Sequence, residues 1–148
     1  MPDGKTKDYE IKQEGEVVCV VPITKEGNIV LAKQFRPGPE KLLFELPGGG
    51  LEKGESPEEA IKRELLEETG YVGDFKFVQS IFSCGYSNLV RHCFIATDCY
   101  KKSEQKLDET EFIEVVEMSL EDFRKHLRSG QLTDIETGYL GLDFLNLL

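Results

Sequence analysis

Three glutamates at positions 64, 67 and 68 are the residues in this chain best placed to do chemistry. If the surrounding residues are helical, Glu64 and Glu68 are i,i+4 neighbours and Glu64 and Glu67 are i,i+3, so all three face a common region. Three ionised carboxylates that close repel one another. At an effective dielectric of about 20 and about 5 Å, each close pair costs about 3 kcal/mol. A hard divalent cation with oxygen ligands, Mg2+ or Mn2+, would offset that cost. The competing reading is a solvated acidic face whose ion-pair partners are Lys53, Lys62 and Arg63.

The element that must position these acids has both ends written in the sequence. Ser56 is a natural N-cap, Pro57 suits the first helical position, and Glu59 completes a capping box with Ser56. Gly70 is placed to close the helix in the left-handed conformation. The spacing therefore predicts a helix over 57–69. Ile61 and Leu65 form an apolar stripe beside the acids that can anchor it to a core.

Around this helix, Gly49, Glu55, Arg63, Glu64, Leu65, Glu67, Glu68 and Gly70 reproduce the spacing of the Nudix box: Gly, five residues, Glu, seven residues, Arg-Glu, an aliphatic, any residue, Glu-Glu, any residue, Gly. Only Tyr71 departs, being aromatic where an aliphatic is usual. The chain therefore resembles the Nudix hydrolases. From about Val17 onward it is most similar to their ADP-ribose pyrophosphatase branch, on QFRPG at 34–38, ELPGGG at 45–50, GESPEEA at 54–60 and SCGYSN at 83–88. Two departures stand out. Cys84 occupies a position where that branch usually has Pro, and only sixteen residues precede Val17, where better-known members carry a longer strand region that swaps across a dimer. A homodimer that differs from theirs stays open.

The length of 148 residues suits one domain, 1–148, with residues 1–8 as a flexible tail. A net charge of −10 argues against nonspecific nucleic-acid or anionic-membrane binding. No signal-peptide pattern or membrane-length apolar run is present, and the four cysteines lack CxxC pairing, so free thiols in a cytoplasmic protein are expected.

In chain order, Tyr9 and Ile11 suggest a short strand, 17–23 a buried one, and Gly27-Asn28 a hairpin turn into 29–32. Segments 42–46, 75–82, 91–96 and 113–117 read as further strands, with Pro47 and the three following glycines stopping the first of these. A helix is predicted over 120–129 behind Ser119, and Thr133 with Glu136 suggests a capping box opening a C-terminal helix. Strands split by one central helix and closed by two more give an α+β class. The resemblance narrows this to an α/β/α sandwich, a mixed sheet between helices.

The same resemblance implies water attack on phosphorus in a nucleoside diphosphate linked to another group, with divalent metal help. It assigns Glu64, Glu67 and Glu68 as metal ligands and catalytic acids, with the Gly48 carbonyl as a further ligand. Gly49, Glu55, Arg63 and Gly70 hold the motif together. It places a general base on the acidic loop at Glu111 or, as the second candidate, Glu109. Arg36 is a candidate for phosphate or ribose, and Phe35 or Tyr86 for stacking on a base, each against a plain surface or packing role. The expected substrate is ADP-ribose, cleaved to AMP and ribose 5-phosphate. The alternatives are a nucleoside triphosphate pyrophosphohydrolase and a non-catalytic nucleotide-binding module, which the retained box carboxylates disfavour.

Overall fold

The apolar run after Glu16 turns back on itself at Gly27-Asn28. Strand β1 (Glu16–Thr24) and strand β2 (Ile29–Arg36) form the expected hairpin, with Gly27 at φ 87° and the Thr24 amide donating to the Asn28 carbonyl at 2.8 Å. The computed structural model describes residues 1–148. After β2 come β3 (Lys41–Glu45), β4 (Gly48–Gly50), α1 (Pro57–Thr69), β5 (Tyr71–Phe82), β6 (Val90–Lys101), β7 (Ile113–Met118), α2 (Leu120–Ser129) and α3 (Ile135–Phe144).

The strands form a mixed sheet in the order β3-β2-β1-β6-β5, with β4 pairing β1 and β7 pairing β2. Strand β1 runs parallel to β6, Val18 opposite His92 and Val20 opposite Phe94, while the other pairings are antiparallel. Alternation along β1 explains its unbroken apolar run. Val18 and Val20 pack against Ala60, Ile61 and Leu65 of α1, whereas Cys19 and Val21 join a second core with Phe123, Leu127 and Leu142 from α2 and α3. A strand covered on both faces needs apolar residues at every position. The expected sandwich of helices about a mixed sheet is therefore what the chain forms.

Four local expectations are corrected. Residues 9–11 form no strand; the segment makes only an isolated bridge from Lys12 to Ser87. Strand β5 starts at Tyr71, not at 75, because the chain leaves the Gly70 cap directly into the sheet and passes a bulge at Gly73, where a Cβ would lie 2.6 Å from the Cys99 Sγ. The three glycines after Pro47 do not merely stop a strand but are one, paired with residues 17–19 of β1. Thr133 does not cap α3. Asp134 occupies the cap position without a side-chain bond to the helix, and Thr133 is bonded to Glu45 instead. All four cysteines are free, three of them buried and Cys84 exposed. No helix is long and apolar enough to cross a membrane.

Candidate active site

Helix α1 is fixed at both ends as its sequence requires. The Glu59 amide donates to Ser56 Oγ at 3.2 Å, and the Ser56 amide donates back to Glu59 Oε2 at 2.8 Å, giving the full capping box. Gly70 stands at φ 77° and its amide closes onto the Leu66 carbonyl at 2.8 Å. Across from the acidic face lies β4, and its composition has a steric cause. A Cβ on Gly48 would fall 2.2 Å from the Val18 carbonyl oxygen, and one on Gly49 would fall 2.5 Å from Glu64 Oε1. Only glycine lets this strand pair with β1 and leave room for a carboxylate on its other side. The Gly48 amide donates to Glu68 Oε2 at 3.1 Å.

Arg63 uses all five of its N–H donors. Nε and Nη2 hold Glu55 at 2.8 and 3.0 Å, Nη2 also reaches the Gly50 carbonyl at 3.1 Å, and Nη1 spans Glu64 at 2.8 Å and Glu67 at 3.1 Å. The guanidinium, helped by the Glu52 amide, holds the Glu55 carboxyl down at about 2. Arg63 also relieves the repulsion between Glu64 and Glu67, while Lys62 pairs with Glu58 and Lys53 makes no ion pair. The convergence expected of the three acids is thus partial. Glu64 and Glu68 line the cleft beside β4, whereas Glu67 is turned to Arg63 and lies outside that lining.

Glu68 has no counter-ion of its own. Burial, and then the charges of Glu64 and Glu111, push its carboxyl up to about 8 against the opposing bond from Gly48; burial also raises Glu64. Two desolvated carboxylates facing a backbone strand, with a third one turn along the helix, are a hard oxygen donor set. The residues therefore fit a divalent cation such as Mg2+ or Mn2+. No three acidic, His or Cys side chains are arranged as a ready cage, so Glu67 would have to leave Arg63 to join one.

The cleft has a volume of about 960 Å3. Glu64, Glu68 and the glycines of β4 form one wall; Arg36, Arg91 and Asp134 are on its lining, and Glu111 and Phe112 reach it from the loop before β7. Glu111 is braced by the Asp108 amide at 3.0 Å. Glu109, its competitor, does not line the cleft. Phe35 lines it with its ring half-exposed, whereas Tyr86 is outside it, 6.2 Å from the ring of Tyr9.

Sequence reading missed the supports of the two arginines. Glu45 is fully buried and accepts from Arg36 Nε and from the Thr133 amide (3.2 Å) and hydroxyl. Arg91 pairs with Asp134 at 2.9 Å, and burial raises the Asp134 carboxyl despite that partner. The available signal was Glu45 itself. It alternates with Leu43 on a buried strand face, where an acid requires a cationic or hydrogen-bonding partner.

Comparison with known proteins places this geometry. Residues 14–135 match the NUDIX domain. The chain is 40% identical over 142 residues to the ADP-ribose pyrophosphatase of Bacillus subtilis (strain 168), covering 94% of this chain and 77% of that one. It is 34% identical over 140 residues to the methanol dehydrogenase activator of Bacillus methanolicus, covering 93% and 76%. A crystal structure described as an ADP compounds hydrolase superposes with a TM-score of 0.73 at 25% identity, covering 88% of this chain and 72% of that one. A glutamate-bearing helix capped at both ends, set against a glycine strand and matched over most of the chain, shows that this protein belongs to the Nudix hydrolase family.

Proposed function

We propose that the protein hydrolyses ADP-ribose to AMP and ribose 5-phosphate in a divalent-metal-dependent reaction. The observation that carries the reading is one cleft that faces the acids of α1 with two arginines anchored on carboxylates, Glu45 fully buried and Asp134 half-buried. The relative named ADP-ribose pyrophosphatase supports the choice of substrate. Glu64, Glu68 and the Gly48 carbonyl would hold Mg2+ or Mn2+, and Glu67 would be a further ligand if freed from Arg63. When bound, the cation neutralises the diphosphate and makes attacking water more acidic.

This chain's own residues do the rest. Arg36 and Arg91 grip the non-bridging oxygens, and their guanidinium planes are pre-oriented by Glu45 and Asp134. Phe35 borders the entrance, where its exposed ring can stack on the base. Glu111 takes the proton from water as the new P–O bond forms and the bridging P–O bond breaks. The electron pair of that bond leaves with one phosphate.

The test is a panel of ADP-ribose, other nucleoside diphosphate sugars, dinucleotides and nucleoside triphosphates, each with Mg2+ and with Mn2+. ADP-ribose is expected to turn over fastest, with AMP and ribose 5-phosphate as products. A preference for triphosphates would remove the ADP-ribose reading and leave the family standing. Glu111→Gln should lower kcat about 100-fold or more with KM changed less than threefold. Undiminished turnover would move the base to Glu109 or to the helix.

A further inference from the structure

The last turn of α1 carries no basic side chain, so its carbonyls need partners from elsewhere. The segment after β6 supplies them. The amides of Lys102 and Ser103 donate to the Gly70 carbonyl at 2.8 and 3.2 Å, and the Lys106 amide donates to the Glu67 carbonyl at 2.8 Å. The side chain of Gln105 does more than cap. Its Nε2 donates to the Glu68 carbonyl at 2.6 Å and to the Ile113 carbonyl at 3.0 Å. One amide therefore spans both ends of loop 107–112, which carries Glu111. It joins a residue two positions before the loop to the residue just after it, and joins both to the backbone of Glu68. That backbone belongs to the residue whose carboxylate is bonded to Gly48 in the cleft.

Chemistry sets the direction of the amide, since only its nitrogen can face two carbonyl oxygens. Both N–H groups are then used, and the contact is specific to a side chain with two donors on one atom and this reach. Glu111 has no bond to α1 itself; its carboxylate and amide are both tied to Asp108 within the loop. The place of Glu111 over Glu64 and Glu68 thus depends on how the loop is rooted.

We propose that Gln105 is a positioning residue for hydrolysis, a clamp that holds the Glu111 loop in register with the acidic helix. The proposal rests on the reading of Glu111 as the group that activates water. A helix cap alone would matter only for stability, whereas a clamp on the loop changes the chemical step and leaves ground-state binding alone.

The experiment uses the full chain with ADP-ribose and Mg2+. Gln105→Met keeps the length of the side chain and removes both donors. The expected result is a fall in kcat of about tenfold with KM changed less than twofold. In the Glu111→Gln background the same substitution should cost less than a further twofold, because the group being positioned has gone. Hydrogen exchange at the Glu111 amide should quicken at least tenfold while the Gly70 amide is unchanged. Equal losses of kcat in both backgrounds, a change confined to KM, or unaltered exchange at Glu111 would overturn the proposal. If Glu111→Gln alone turns over like wild type, the base assignment fails, and exchange at the loop still decides whether Gln105 anchors it. Gln105→Asn, one methylene short and able to hold only one carbonyl, gives the same readouts where Gln105→Met does not fold.

Discussion

Replacing Glu68 by Gln should make the metal-free protein more stable, and by an amount that depends on pH. In the fold its carboxyl is pushed from 4.5 up to about 8, first by burial and then by Glu64 and Glu111. Between those values the folded chain binds a proton that the unfolded chain has released, so stability falls as pH rises through the window. It is fully present below about 4.5 and lost above about 8. At about 1.4 kcal/mol per pKa unit the ceiling is about 5 kcal/mol. Relaxation and entry of water around an ionised Glu68 would reduce this to about 2–3 kcal/mol. The glutamine keeps the acceptor for the Gly48 amide and removes the charge, so the variant has no such slope. Urea unfolding in EDTA should show the two proteins within about 1 kcal/mol at pH 5, and the variant ahead by about 2–3 kcal/mol at pH 8.5. Added Mg2+ should reverse the order at pH 8.5, since it stabilises the wild type more, and the variant's turnover should fall at least about 100-fold. A difference that does not change with pH, or a wild type that is the more stable at pH 8.5 in EDTA, would refute the reasoning.

Two further outcomes test the supports of the site. Gly49→Ala places a methyl 2.5 Å from Glu64 Oε1, so turnover should drop at least about tenfold as that carboxylate is displaced; a kinetically silent alanine would show that Glu64 acts from another position. Glu45→Gln removes the charge that holds Arg36, so KM for ADP-ribose should rise several-fold and stability should fall by about 2 kcal/mol, whereas an unchanged KM would take Arg36 out of substrate binding.

What the sequence made legible was whatever is decided within a few residues. Helix α1 was readable to its last residue because Ser56, Pro57, Glu59 and Gly70 act on backbone groups one turn away. Strand β1 was readable because two covering layers leave it no polar position. The misreadings share another origin. Glycines 48–50 have poor strand propensity, and their strand is selected by the Val18 carbonyl on one side and Glu64 on the other. Thr133 followed by Glu136 has the spacing of a cap, yet its hydroxyl is taken by Glu45, 88 positions away. Glu67 has the same helical register as its neighbours, but Arg63 draws it aside. Local grammar cannot report a partner that only folding delivers.

The distribution of charge in the cleft ties these supports to function. Each arginine on its lining is already matched, Arg36 by Glu45 behind it and Arg91 by Asp134 beside it. Glu64, Glu68 and Glu111 have no such cationic excess to meet; the one guanidinium bonded to any of them, Arg63, is shared with Glu55 and Glu67. A diphosphate approaching the bare cleft of a protein with net charge −10 therefore meets a negative wall. In the proposed reaction the matched arginines would orient the phosphates without supplying the charge that draws them in. In the proposed reaction that charge comes with the divalent cation, which makes substrate binding and the state of Glu68 two views of one equilibrium. The carboxylate that gains most from a cation is the one bonded to the Gly48 amide, and glycine at 49 leaves room beside it for Glu64.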